Sequence, residues 1–113
     1  MHYGKEVRVI LRGKAKESYI ELKKRNDKEA TSILNSIERV KELLKDNPQY
    51  GQPIAKRQIP AIFAKEGIQN LYRVELSNYW RMLYTLEGNK VEIFIFVLNI
   101  EDHKDYSKLF GYK

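Results

Sequence analysis

Residues 69–112, QNLYRVELSNYWRMLYTLEGNKVEIFIFVLNIEDHKDYSKLFGY, decide how the rest of the chain is arranged. They begin with two segments, residues 72–76 and 80–86, in which successive side chains alternate between two sets. A period of two is typical of strands that are buried on one face. The third segment, Val91–Leu98, is apolar except for Glu92, which is typical of a strand covered on both faces. The pattern therefore predicts three consecutive strands, with a hairpin loop at residues 87–90.

The alternation also predicts which side chains share a face of this sheet. The side chains expected to face the core are aromatic or apolar: Tyr72, Val74, Trp80, Met82 and Tyr84. Arg73 and Arg81 fall on the opposite face, which is expected to be uncovered. Past the end of the most buried strand the chain carries His103, Lys104 and Tyr106. We therefore expect basic, aromatic and titratable side chains to converge at this edge of the sheet, with His103 and Tyr106 accessible and near Arg81.

The first half of the chain is predicted to be mainly helical. A short strand, Val7–Leu11, precedes a helix at Lys14–Arg25. A second helix, capped by Asn26 or Asp27, should end at Asn47-Pro48. Its apolar residues have the strongest helical period in the chain: Ile33, Ile37, Val40 and Leu44. The two helices are expected to form a hairpin that packs on the core face of the sheet.

Shorter segments connect these elements. Residues 47–58 contain two prolines and Gly51, which predicts a loop. Residues 63–67 are predicted to be a loop or a short edge strand, and residues 102–110 a helical turn ending at Gly111. The expected fold is thus α+β: an N-terminal strand, a two-helix hairpin on an antiparallel sheet of about four strands, and a C-terminal helical tail. Residues 1–113 are expected to form one domain.

Composition limits the function classes. The chain has 113 residues and a formal net charge of +6, which favours an anionic partner such as nucleic acid, an acidic protein or a membrane surface. A solvated surface rich in Lys and Glu is the alternative explanation. The absence of cysteine excludes disulfides and thiolate zinc sites. No signal peptide is recognisable and the longest apolar run, Ile93–Leu98, is too short for a membrane span, so we expect a cytoplasmic protein without a membrane partner.

The residues at the predicted sheet edge suit the chemistry of RNA cleavage. Without a metal, the 2′-hydroxyl must lose a proton, the leaving 5′-oxygen must gain one, and the charge on the phosphate must be balanced. Arg73 and Arg81 are candidates for the fixed cations, because guanidinium groups match phosphate oxygens. His103 and Tyr106 are candidates for proton transfer, and Glu75 for the general base.

Three further cations, Lys56, Arg57 and Lys104, are candidates for binding the flanking RNA phosphates.

Each of these residues also has a structural explanation. Arg73 with Glu75, or Arg81 with Glu92, can form a surface ion pair. A histidine at a strand end is often merely solvated, and Tyr106 and Phe110 can pack the tail against the sheet. Walker, HExxH, EF-hand and nucleophile-elbow motifs are absent from the sequence.

The ensemble of motifs resembles the RelE/ParE superfamily of type II toxins over essentially the whole chain. The resemblance lies in the β-α-α-β-β-β order and in four stretches: NPQYG (47–51), KRQIP (56–60), NLYRVELSNYWRMLYTL (70–86) and VLNIEDHKDYSKLF (97–110). By position, Arg81 matches the family's strand arginine and Tyr106 its tail tyrosine. Lys56 and Arg57 match the basic loop, Arg73 matches a basic strand position, and His103 matches only loosely. Asp102 stands where many members have arginine, so Glu101 and Asp102 are expected beside the site.

This resemblance implies a small basic toxin that a cognate acidic antitoxin neutralises, with a heterotetramer as one assembly. RelE-like members cleave mRNA in the ribosomal A site without metal or cofactor. The ParE branch shares the fold but inhibits DNA gyrase, and a third alternative is an inactive module that only binds an acidic partner. The antitoxin is expected to add a strand to the sheet edge or to lay a helix across it. Phe94, Phe96 and Leu98 are expected to need such a cover.

Overall fold

A computed structural model describes residue 2 and residues 4–111. Its strands are β1 (Glu6–Leu11), β2 (Gln52–Pro53), β3 (Tyr72–Glu75), β4 (Arg81–Gly88) and β5 (Glu92–Glu101). Its α-helices are α1 (Gly13–Lys24), α2 (Lys28–Asp46), α3 (Ala61–Lys65) and α4 (His103–Phe110). Short 3-10 turns occur at Lys56–Gln58 and Ser77–Tyr79. The architecture is α+β, as predicted.

The sheet has five strands in the order β1-β5-β4-β3-β2, and β1 runs parallel to β5. The other neighbours are antiparallel. The predicted antiparallel sheet of about four strands is therefore corrected to a mixed, five-stranded one. The pairing of β1 has no local signal, because two helices separate β1 from the rest of the sheet. The strand β2 has only two residues, one of them proline, which is too short to produce a pattern.

The helices α1 and α2 pack on one face of the sheet as a pair. The predicted stripe on α2 is confirmed, since Ile33, Ile37 and Leu44 are fully buried and Val40 nearly so. The helix begins after Asp27, whose carboxylate accepts a hydrogen bond of 2.8 Å from the Ala30 amide. A side chain in this position satisfies one of the free amides of the first turn. Asp27, and not Asn26, is thus the cap.

The same face receives the aromatic and apolar residues predicted to point toward the core. The buried cluster beneath the helices contains Val74, Met82 and Tyr84, with Tyr72 and Trp80 packed against it. The alternation along β3 and β4 is therefore confirmed for these positions. The ring of Tyr72 stacks on that of Tyr84, with 5.1 Å between centroids.

The opposite face is not uncovered, contrary to the prediction. A second buried cluster lies there: Phe63, Leu71, Leu83, Leu98 and Tyr106. It is supplied partly by α3, a five-residue helix in the segment predicted to be a loop or an edge strand. The helix α3 has five residues and buries only Phe63, so it is too short to show a helical period. Leu98, expected to need a partner's cover, is covered by the chain itself.

A β-bulge lies between β4 and β5. Leu83 pairs with Asn99 whereas Tyr84 pairs with Val97, so Leu98 is the extra residue. A bulge of this kind offsets the alternation by one residue. Val97 and Ile100 consequently face the helices while Leu98 joins the cluster on the second face.

The C-terminal helix α4 follows β5 directly. The Asp102 carboxylate accepts a hydrogen bond of 2.8 Å from the Asp105 amide and begins the helix. Gly111 ends it with φ of 73°, a left-handed value that glycine adopts without steric cost. The predicted helical tail and its end are thus confirmed. Within the described residues, no helix is both long enough and apolar enough to cross a membrane.

Candidate functional site

Three charged side chains lie together on the second face of the sheet. The β3–β4 register places Glu75 opposite Arg81, and Arg73 lies two positions before Glu75 on the same face. One Glu75 oxygen is 3.6 Å from Nε of Arg73 and 3.5 Å from Nε of Arg81. Glu75 thus bridges the two arginines. The alternative pair of Arg81 with Glu92 is wrong, since Glu92 binds Arg8 at 2.5 Å.

The helix α4 places Tyr106 beneath both guanidinium groups. Nη1 of Arg73 donates a hydrogen bond of 3.2 Å to the tyrosine oxygen. The ring centroid is 4.8 Å from Cζ of Arg81 and 6.0 Å from Cζ of Arg73, which are distances of cation–π contacts. Phe110 packs on the ring at 4.6 Å. Tyr106 was predicted to be accessible, but it is 2% exposed, so this expectation is wrong.

His103 contacts Arg81 from the first turn of α4. Its Nδ1 is 2.8 Å from Nη1 of Arg81, and the imidazole is exposed. A guanidinium nitrogen can only donate, so Nδ1 must be the acceptor. The prediction that His103 is accessible and lies near Arg81 is confirmed.

Gln52 belongs to this cluster, although no pattern in the sequence had selected it. It pairs with Arg73 in the β2–β3 ladder, and its side-chain oxygen accepts a hydrogen bond from Nη2 of Arg73. The loop that carries it is anchored by Tyr84, which is fully buried. The Tyr84 hydroxyl accepts from the Gly51 amide at 2.9 Å and donates to the Pro48 carbonyl at 2.8 Å. Burial raises the pKa of Tyr84 to about 12, so the hydroxyl remains a donor.

The three additional cations lie on the surface around these residues. Lys56 and Arg57 form the exposed 3-10 turn that follows Gln52 in the same loop. Arg57 also lines a cleft with Lys108 at the C-terminal end of α4. Lys104, next to His103, is exposed on the first turn of α4. Their exposure leaves them available to a polyanion.

The two acids expected to crowd the site are engaged elsewhere. Asp102 caps α4, as described above. Glu101 accepts a hydrogen bond of 3.1 Å from the Asn99 amide group, and lines a cleft of about 530 Å³ that includes Lys14 and Trp80. Burial raises the pKa of Glu101, and Asp105 raises it further. Of these three acids, Glu75 is the one whose carboxylate lies between the two arginines.

Within residue 2 and residues 4–111, no group of three or more histidine, cysteine, aspartate or glutamate side chains is placed to hold a metal ion.

Comparisons with known proteins identify the fold. No protein-family model and no curated protein matches the sequence. A solved structure, the YoeB/ParE toxin from Agrobacterium tumefaciens, matches with a TM-score of 0.57. The match covers 85% of this chain and 98% of that one at 12% sequence identity. The chain therefore has the fold of a YoeB/ParE toxin, which confirms the predicted RelE/ParE resemblance at the level of the fold.

Proposed function

We propose that the chain is the toxin of a type II toxin–antitoxin system and that it cleaves ribosome-bound mRNA without a metal in the cytoplasm. The observation that supports this most directly is the cluster around Tyr106. There two guanidinium groups, a carboxylate and an imidazole meet on one face of the sheet. They represent the charge-balancing and proton-transferring groups that the reaction requires.

The arginines bind the scissile phosphate in this proposal. The side chains of both arginines are largely buried, with exposures of 24% for Arg73 and 15% for Arg81. Partial burial strengthens their interaction with an anion, because water screens it less. In the absence of RNA, Glu75 contacts both guanidinium groups and His103 contacts that of Arg81. An incoming phosphate displaces both, and this displacement frees the two groups for proton transfer.

Glu75 then accepts the proton of the 2′-hydroxyl. Its side chain is 59% exposed and can therefore approach the ribose. The 2′-oxygen attacks the phosphorus, and the bond from phosphorus to the 5′-oxygen breaks. His103, after its release from Arg81, takes up a proton from water and donates it to the leaving oxygen. The products are a 2′,3′-cyclic phosphate and a 5′-hydroxyl.

Tyr106 is assigned a positioning role instead of the proton transfer first considered for it. Its hydroxyl and ring hold the two guanidinium groups at the separation at which they bridge to Glu75. Lys56, Arg57 and Lys104 bind the phosphates on either side of the cleaved bond.

Arg81→Ala tests the proposal. We expect the rate of mRNA cleavage on intact ribosomes to fall about 100- to 1,000-fold, as is usual when one preorganised charge-stabilising group is removed. Arg25→Ala is the matched control, because Arg25 is an exposed arginine paired with Asp27 and Glu29 in the α1–α2 connection. Cleavage by Arg81→Ala at the wild-type rate would remove the catalytic assignment.

A ParE-type gyrase inhibitor is the second candidate, and the burial of Tyr106 favours it. A toxin that acts by protein binding needs no accessible proton donor in the tail. A supercoiling assay with purified gyrase discriminates between the two. Inhibition of gyrase together with intact mRNA would favour this candidate, and the absence of both effects would favour an inactive binding module.

A further inference from the structure

The turn between β3 and β4 has an unusual backbone. The Trp80 amide donates to the Ser77 carbonyl at 3.2 Å, and the Leu76 amide donates to the Trp80 carbonyl at 2.8 Å. The two central residues, Asn78 and Tyr79, have φ of 59° and 63°. Left-handed values at both central positions define a type I′ turn, in which asparagine followed by glycine predominates. Asparagine is thus the usual first residue here, whereas tyrosine replaces the usual glycine.

The tyrosine in this turn is not explained by packing. Tyr79 is 78% exposed, whereas its neighbour Trp80 packs against the core. A side chain other than glycine is strained in the left-handed region, and an exposed ring recovers little of that cost through burial. Backbone strain of this kind occurs preferentially at functional sites.

The backbone of Tyr79 contacts Arg81, one of the two arginines of the candidate site. Its carbonyl oxygen accepts a hydrogen bond of 3.4 Å from Nη1 of Arg81. The same nitrogen contacts Nδ1 of His103 at 2.8 Å. The backbone of the turn therefore contacts the guanidinium that binds phosphate in the proposed reaction, and the same turn carries the exposed ring of Tyr79.

We propose that Tyr79 is a stacking platform for a nucleobase adjacent to the phosphate held by Arg81. This inference rests on the proposed action on RNA. Exposed aromatic rings next to guanidinium groups are the usual means of binding single-stranded RNA, because every base offers a π-face. The constrained turn keeps the backbone of Tyr79 in place before RNA arrives, which reduces the entropy lost on binding. The adjacent arginines favour a polyanion over a protein surface.

Binding to a cleavage-resistant RNA tests the platform separately from catalysis. The probe is a short, fluorescent, 2′-O-methylated single strand, and a second probe lacks one base at the position next to the central phosphate. We expect Tyr79→Ala to weaken binding to the intact strand about 5- to 150-fold. Tyr79→Phe should bind as the wild type does, because the ring is retained. The effect of Tyr79→Ala should largely disappear on the probe that lacks the base.

Val91→Ala is the control, because Val91 is a 66% exposed apolar residue in the turn at the other end of β4. Thermal unfolding of Tyr79→Gly provides a second measurement, with an expected Tm equal to or above that of the wild type, since glycine fits the left-handed region. A lower Tm would show that the ring is structural and would overturn the platform.

Several outcomes separate this inference from the proposed function. Wild-type affinity in Tyr79→Ala, or an equal loss on both probes, would overturn the platform and leave the cleavage proposal in place. A wild-type chain that binds RNA but does not cleave mRNA on ribosomes would overturn cleavage, while the comparison of variants would still decide the platform. If the wild-type chain does not bind the free RNA strand, the platform is overturned, whereas the cleavage assay on ribosomes still decides the proposed function. If Tyr79→Ala binds RNA as the wild type does but loses binding to a protein partner, the platform is also overturned.

Discussion

Tyr106 shows how burial changes the role that a residue type suggests. From its place in the tail, the hydroxyl was a candidate proton donor. In the fold the ring is enclosed by Phe110, Arg73 and Arg81, and only 2% of the residue is exposed. A group that RNA cannot reach in this conformation acts through the arginines that it supports.

Substitutions of Tyr106 distinguish support from proton transfer. Tyr106→Phe removes one hydrogen bond to Arg73 but retains the ring, so we expect cleavage to fall only several-fold, in line with about 0.5–1.5 kcal/mol for such a bond. Tyr106→Ala should reduce cleavage much more and lower the free energy of unfolding by about 3–5 kcal/mol, as for other buried aromatic residues. Single-turnover cleavage and urea unfolding provide the two measurements. If Tyr106→Phe loses about 100-fold or more, which is typical of a lost general acid, Tyr106 transfers a proton after all.

Glu101 should make stability depend on pH. Because burial raises its pKa, the folded state retains a proton that the unfolded state releases above the ordinary value of 4.5. The contribution of Glu101 to stability is thus complete below pH 4.5 and declines as pH rises through the interval up to the raised pKa. Glu101→Gln should therefore unfold at a higher temperature than the wild type at pH 7, and at a similar temperature at pH 4.

Calorimetry or circular dichroism across this range measures the effect, with the exposed Glu66→Gln as the control. An identical pH profile for Glu101→Gln and the wild type would contradict the conclusion that burial raises the pKa of Glu101.

Among the elements, the two-residue strand β2 is important for the arrangement of the candidate site. It carries Gln52 to Arg73, and its position depends on the close approach of Gly51 to Tyr84. A Cβ on Gly51 would lie 2.8 Å from the Tyr84 hydroxyl oxygen and 3.1 Å from the Arg73 carbonyl oxygen. The absence of a side chain at position 51 is therefore required by packing.

Gly51→Ala should disturb both stability and the site. We expect a loss of about 1–3 kcal/mol in the free energy of unfolding, as for other overpacked positions, because the buried Tyr84 has little room to move. Cleavage should also decrease, since Gln52 and Arg73 shift with the loop. Gln49→Ala, an exposed change in the same loop, is the control. Unaltered urea unfolding of Gly51→Ala would show that the loop adjusts freely.

For the molecule as a whole, the net charge of +6 supports the acidic antitoxin that we propose chiefly from the resemblance to toxins. An acidic partner is attracted over a distance, which accelerates association and makes it sensitive to salt. The apolar residues of β5 are a weaker argument than the sequence indicated. Leu98 is 8% exposed, and the Arg12 guanidinium lies 4.5 Å from the centroid of the Phe96 ring.

Co-expression with the product of the neighbouring gene tests this partner. We expect a small acidic protein that co-purifies with the chain, suppresses its toxicity and associates more slowly as salt is raised. An unrelated acidic protein of similar size is the control for nonspecific charge attraction. A soluble, non-toxic chain that does not bind its neighbour's product at low salt would contradict the proposal.

Local patterns in the sequence determined much of the fold. The period of two at residues 72–86 assigned Val74 and Met82 to the core face and the two arginines to the other, and the helical period identified the buried stripe of α2. The cap of α2 was also predicted at Asn26 or Asp27, and the end of α4 at Gly111. These features depend on side chains within a few positions of each other, so sequence spacing is sufficient to reveal them.

The tertiary structure alone decided the parallel pairing of β1 with β5, the cover that α3 provides and the composition of the site. Arg73 meets Tyr106, and Arg81 meets His103, only after α4 folds back across β3 and β4. Gln52 and Tyr79 join them through the pairing of a two-residue strand and a strained turn. Contacts between residues distant in the chain depend on register, bulges and burial, and these properties arise from the packing of the whole sheet, which no local pattern records.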